Sequence, residues 1–168
     1  MKKLKNPWKK LPEYMCFGCS PNNHSGVQMT FYEDGNDIVS VWKPESHFQG
    51  WHNTLHGGIQ SLLMDEIAAW TVARKLQTTG VTSKMEVRFR KALYTTDKYI
   101  TIRASVSEIK RNFATVKVVI YNHTDELCAS ADCTYFTFTK EKAAEMMFFG
   151  CDVEKKELTI DEVISELK

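Results

Sequence analysis

No stretch of this chain is apolar for long enough to span a bilayer, and no run of secretory-signal length follows the basic start MKKLKNPWKKLPEYM. A cytoplasmic protein without a membrane partner is therefore expected. Net charge is almost absent too: Lys+Arg 22 against Asp+Glu 21 leaves +1, which supplies no bulk attraction to nucleic acid, and no nucleic-acid partner is expected. The five cysteines, Cys16, Cys19, Cys128, Cys133 and Cys151, form an odd set without the spacing of a small secreted domain, so structural disulfides are not expected. Internal repeats and low-complexity segments are missing as well. What is present, 168 residues with 43% hydrophobic and 26% charged, suits one globular domain with a full core.

The Lys- and Pro-rich residues 1–15 read as an arm. Turn formers in CFGCSPNNHSG lead into two strands, VQMTFYEDGND and IVSVW, joined by a turn at Asp34-Gly35. After the loop KPESHFQGWHNT, one long helix is predicted over about 56–77. Its apolar stripe of Ile59, Leu62, Leu63, Ile67, Trp70, Ala73 and Leu76 is joined by Met64, Ala68 and Val72 on the far side, which implies burial on most sides. Alternation in Met85/Val87/Phe89, Ile100/Ile102/Ala104/Val106 and Ala114/Val116/Val118/Ile120, with a turn at residues 122–125, predicts about four antiparallel strands with one face in the core. Cys128 and Cys133 lie on the last of these, with opposite parity, so one is expected in the core and one at the surface. The pattern is α+β: two strands, a buried helix, then a meander that must wrap the helix. Residues 16–140 form this domain, and 141–168 read as a tail with a helix from Ile160 to Leu167.

His56-Gly57-Gly58 opens the helix, and Asp65 follows two turns later. Helix N-termini leave N–H groups unpaired and carry partial positive charge, and glycine admits a close ligand, so Gly57 and Gly58 suit a carbonyl oxygen that becomes anionic. A carboxylate on the same helix would stand near that carbon, to attack it or to activate water. A tightly packed helix start and a solvated Asp are the bland alternative. Glu66 competes with Asp65, because it falls nearer the middle of the apolar stripe.

The stretch LHGGIQSLLMDEIAAW, followed by VTSKMEVRFRKAL and CASADCTYFTFTK, resembles the hotdog-fold acyl-CoA thioesterases of the phenylacetyl-CoA thioesterase type and their animal mitochondrial relatives. CFGCSPNNHSGVQM is similar to the opening of one branch of that superfamily. The resemblance implies an antiparallel sheet wrapped around one helix, and hydrolysis of acyl-CoA thioesters to free acid and CoA. It assigns the nucleophile or general base to Asp65, the carbonyl-polarising N–H to Gly57, and the shape of the helix start to His56. A Ser or Thr from the neighbouring subunit orients the water or the acid; Thr82 matches, with Ser83 next to it. The site is thereby expected in a homodimer or homotetramer. The chain departs from the family at Gly50, where relatives have Asn or Gln, unless Gln49, His52 or Asn53 substitutes, and at Lys91-Ala92 in place of an Arg-Pro-like pair.

Gly58, Gln49, Ser83, Arg88 and Arg90 are the expected substrate-binding residues, the arginines because a guanidinium pairs with phosphate in a forked geometry. Cys16-x-x-Cys19 has no second matching pair in sequence, so no metal is expected, and no cofactor beyond the coenzyme A of the substrate. His24, His47, His52 and His123 fall in loops and are expected in solvent, with His47 and His52 nearest the active helix. Two other functions fit the same residues. A dehydratase on this fold wants a His paired with an acid, which the helix does not offer; a non-catalytic acyl-CoA sensor is compatible with Gly50.

Overall fold

Gly57 and Gly58 open helix α1 (Gly57–Lys75) in the computed structural model, which describes residues 1–167. His56 caps it: its Nδ1 accepts the Gly58 N–H at 2.8 Å and satisfies one orphan donor of the first turn. The chain leaves the helix through Gln77, whose φ of +51° usually falls to glycine. The Gln77 side chain compensates, its Nε2 donating to the Arg74 carbonyl at 2.8 Å and its Oε1 accepting the Cys151 N–H at 3.1 Å. Arg74 and Lys75 occupy the last turn, where positive charge complements the helix dipole. Both reach Glu33, at 2.9 and 2.6 Å. Burial alone would push the Glu33 carboxyl up, but its bonds to Arg74 and Lys75 outweigh that and hold it below the usual carboxylate range.

Eight strands form one antiparallel sheet around this helix: β1 (Lys2–Leu4), β2 (Tyr32–Asp34), β3 (Asp37–Trp42), β4 (Gly80–Phe89), β5 (Ile100–Lys110), β6 (Phe113–Asn122), β7 (Leu127–Thr137) and β8 (Val153–Glu157). Their order is β4-β7-β6-β5-β3-β2-β1-β8, which makes β4 and β8 the two edges. The turn between β2 and β3 falls at Gly35, with φ +59°, as Asp-Gly predicts. Helix α1 packs against β3, β4, β5, β6 and β7, so the expected wrapped helix is what forms. Leu63, Met64, Ile67 and Ala68 from the helix are fully buried with Ile38, Ile102, Val116 and Ile120 from the sheet. Cutting Ile67 back to Ala removes three carbons from this packed layer. We expect a loss of about 2–5 kcal/mol, read as a fall in the thermal or denaturant midpoint.

The chain ends differ from their sequence reading. The arm of residues 1–15 contributes β1, which pairs with β2 and β8, and the tail contributes β8 as well as two short helices, α2 (Lys140–Glu145) and α3 (Ile160–Ser165). Strands of three and five residues made mostly of lysine and glutamate carry no apolar alternation by which to be read. Helix α3 packs on the outer face of the sheet, Val163 and Leu158 meeting Tyr32 and Val41. Cys128 and Cys133 are both fully buried; the expected surface position is not found, because Cys128 lies at the strand end, next to the irregular pairing of β6 with β7. Among the described residues no helix is long and apolar enough to cross a membrane.

Candidate active site

Asp65 lies on the β4 side of α1, half-buried, and its carboxylate is held by two hydroxyls. Thr82 Oγ1 donates to Asp65 Oδ1 at 2.7 Å, and the Tyr135 hydroxyl lies 2.7 Å from the same oxygen and 2.8 Å from the Asp65 carbonyl. Tyr135 is fully buried, and burial first, then the Asp65 charge, pushes its hydroxyl well above the ordinary range, so it stays a donor. Removing that donor, as in Tyr135→Phe, keeps the ring and takes away one bond to a charged acceptor, worth about 1.5–3 kcal/mol. We expect a fall in the thermal midpoint at unchanged fold, read by circular dichroism.

Thr82 reaches Asp65 because of an irregularity in β4. Met85 and Val87 face the core, so simple alternation would turn Ser83 and Val81 inward and Thr82 outward. The pairing of β4 with β7 skips from Thr82↔Tyr135 to Lys84↔Thr134, leaving Ser83 as the extra residue of a bulge. Before the bulge the even-numbered side chains face the helix, and Val81 is half exposed. The resemblance assigned this hydroxyl to a neighbouring subunit; here Thr82 bonds Asp65 of its own chain.

At the other end of β4 an open cleft of about 770 Å³ adjoins the helix start, lined by Gln49, Gly50, His56, Gly57, Gln60, Phe89 and Arg90 among others. The Gly57 N–H has no acceptor among the described residues, whereas the Gly58 N–H is committed to His56. Gly57 is therefore the free donor, and the expected substrate contact from Gly58 is not available through its amide. Phe89 stands against Gly57, its Cζ 3.4 Å from where a Cβ would be. Gln49 braces the loop by accepting the Asn53 N–H at 3.1 Å. Gln60, 5% exposed, donates to the Leu55 carbonyl at 2.9 Å, and its Oε1 has no partner.

The acid and the free amide do not meet within one chain. Gly57 and Asp65 lie eight residues apart on α1, about 12 Å along its axis. A carbonyl bonded to Gly57 is beyond the reach of Asp65 on the same helix, and Asp65 does not line the cleft. The expectation that one helix presents both groups to one carbon is overturned by the helical rise.

Residues 52–129, from the loop before α1 into β7, match the Thioesterase superfamily model. The chain has the hotdog fold, and this segment of it is similar to the thioesterase superfamily. Three solved structures with this fold align. A thioesterase superfamily protein has a TM-score of 0.66 at 15% identity, over 72% of this chain and 62% of its own length, so less than two thirds of that protein is spanned. A Streptococcus mutans protein bound to acetyl CoA has 0.61 at 18% identity, over 67% of this chain and 90% of its own. The PaaI protein of the phenylacetic acid degradation operon of E. coli has 0.62 at 17% identity, over 67% and 81%. No curated protein matches the chain.

On this hotdog domain the remaining candidates separate. Arg90 lines the cleft; Arg88 is exposed on β4 and donates to Glu86 at 3.2 Å, away from it. Ser83 is exposed at the bulge. Glu66, favoured by periodicity as the buried acid, is half-buried, as Asp65 is; burial first and the neighbouring Cys16 second push its carboxyl up to about 7. Its carboxylate meets Cys16 and Trp70 rather than Thr82 or Tyr135. Tyr135 and Gln60 were not found from sequence. The inward parity of Tyr135, shared with Ala131 and Cys133, was the available signal for the first; nothing but its place one turn after Gly57 pointed to the second.

Proposed function

We propose that two copies pair through their β4 edges and hydrolyse acyl-CoA thioesters at the two seams. The edge is ten residues long, has no strand beyond it and exposes Val81 and Phe89, and such an edge invites a partner. Antiparallel pairing about a two-fold axis near Met85 and Glu86 sets the Thr82 end of one strand beside the Phe89 end of the other. Asp65 is bonded to Thr82 and Gly57 sits under Phe89, so each seam unites the acid of one copy with the free amide of its partner. The observation that carries this reading is that acid and amide stand at opposite ends of one unpaired edge strand.

In each seam the Gly57 N–H donates to the thioester oxygen and stabilises the charge that develops on it. Asp65 takes a proton from water as the water oxygen bonds to the carbonyl carbon; the C–S bond breaks, and the thiolate of CoA leaves and is protonated, giving free acid and CoA. Direct attack by Asp65 reaches the same products through an acyl anhydride that water opens. The steps use no metal or organic cofactor. Neighbouring structures described as bound to acetyl CoA and to coenzyme A support an acyl-CoA substrate, and Arg90 in the cleft suits its phosphates. No His bonds Asp65, which weighs against a dehydratase.

The test is release of CoA thiol from a panel of acyl-CoA thioesters, followed with a thiol-reactive dye. Release by the wild type is expected, and none from any acyl chain would sink the reading. One observation favours a non-catalytic binder: a Cβ at Gly50 would stand 3.0 Å from His56 Cδ2, so the amide that the resemblance implies there does not fit unless His56 shifts. Stoichiometric CoA binding by calorimetry without thiol release is the signature of that alternative.

A further inference from the structure

Next to Asp65, about 100° further around α1, three potential ligands converge. The sulfurs of Cys16 and Cys19 and a carboxylate oxygen of Glu66 lie within 4.8 Å of one another. The geometry points to a zinc site made by Cys16, Cys19 and Glu66, which fastens the loop before β2 to the central helix.

Four observations carry it. First, Cys16 Sγ is 3.7 and 3.8 Å from the two oxygens of Glu66. A tetrahedral zinc with Zn–S of about 2.3 Å and Zn–O of about 2.1 Å separates such a pair by about 3.6 Å, so the donors stand at ligand spacing before any ion arrives. Second, the carboxylate is enclosed without a basic partner: none of the ion pairs among the described residues includes Glu66, and its protein contacts are the Trp70 Nε1–H at 3.1 Å and the Cys16 thiol. Third, groups of the kind that orient metal ligands are already in position. Trp70 donates to Glu66 Oε1, and the Tyr14 hydroxyl lies 2.8 Å from Cys19 Sγ. Fourth, Gly18 lets the loop close on the acid, since a Cβ there would stand 2.3 Å from Glu66 Cδ.

Two thiolates and one carboxylate form a borderline-soft set that suits Zn²⁺ over Mg²⁺ or Ca²⁺. The fourth position opens on an apolar pocket of about 270 Å³ bordered by Trp8, Trp70 and Met146, with space for a water. Binding displaces the thiol protons of Cys16 and Cys19 into solvent. The site explains why a Cys-x-x-Cys pair with no second pair in sequence can still bind metal: the third ligand comes from α1, 47 positions after Cys19. It does not depend on the thioesterase reading, because the Glu66 carboxylate bonds Cys16 and Trp70 and neither Thr82 nor Tyr135.

Full-length protein, purified under reductant without chelator or polyhistidine tag, is expected to carry one zinc per chain by elemental analysis. Titration of chelator-stripped protein with Co²⁺ is expected to give the thiolate-to-cobalt charge-transfer band and the strong visible bands of a tetrahedral ion. Glu66→Gln, which keeps the shape, should weaken Co²⁺ binding by more than the roughly 10- to 100-fold that loss of an outer-shell partner brings. Gly18→Ala, which keeps all three ligands but pushes the acid away, should weaken it too. Circular dichroism confirms that each variant folds. Protein with substoichiometric zinc that also shows no thiolate–cobalt band overturns the proposal. So does a band that persists when Cys16 and Cys19 are both changed to Ser.

Discussion

Asp65→Asn is expected to lower the turnover of acyl-CoA thioesters by roughly 10²- to 10⁴-fold, the usual contribution of a positioned general base. The substitution is nearly isosteric, and the amide oxygen still accepts from Thr82 and Tyr135, so the two hydroxyls at 2.7 Å keep a partner and the fold is retained. What disappears is the capacity to take a proton or to attack carbon. The loss should fall on kcat, with KM nearly unchanged, because the proposed contact to the CoA phosphates is the Arg90 guanidinium and not this carboxylate. Steady-state thiol release over a range of acyl-CoA concentrations measures both. Turnover that survives Asp65→Asn removes the mechanism, and a loss confined to KM assigns Asp65 to binding.

Gly57→Pro is expected to cost about 10²- to 10³-fold in kcat, the effect of deleting one oxyanion donor. Proline removes the N–H and nothing else the site needs. Position 57 is the first helical residue, where proline is well tolerated, and His56 already has the extended backbone that proline demands of its predecessor, φ −58° and ψ 133°. A Cβ at 57 meets Phe89 at an ordinary 3.4 Å. The informative experiment mixes the two inactive variants. If acid and amide come from different copies, a heterodimer of Asp65→Asn with Gly57→Pro has one seam with both groups intact, and random pairing of equal amounts restores about a quarter of wild-type activity. If one chain supplied both, mixing would restore nothing.

The parts of the fold that were legible in the sequence are those with long period. The helix was bounded to within two residues by His-Gly-Gly at one end and the end of the apolar stripe at the other, and the apolar residues of β5 and β6 recur at every second position because one face packs on α1. Strand β1 and the edge strand β8 escaped because they are short and charged, with too little burial to impose a pattern. Within the site, periodicity ranked Glu66 above Asp65 for burial, whereas both are half-buried; the resemblance favoured Asp65 for chemistry. Sequence spacing could place neither Tyr135 nor Thr82 against that acid. Parity says which face a strand residue takes and does not say which helical residue it meets, and for Thr82 the bulge reverses even the parity. Spacing also misled in one respect, because residues two turns apart look adjacent in a motif and are about 12 Å apart on a helix.

That reversal makes the register of the residues before Lys84, as much as their chemistry, a determinant of the carboxylate's surroundings. Deleting Ser83 alone would regularise the β4–β7 ladder and leave every hydrogen-bonding side chain in the protein except its own. Thr82 and Lys84 would then be successive residues with their present partners, Tyr135 and Thr134, and the threonine hydroxyl would stay toward Asp65. Pairing Ser83 in register instead, with no residue lost, would turn Thr82 out to solvent and present the methyl groups of Val81 to the acid.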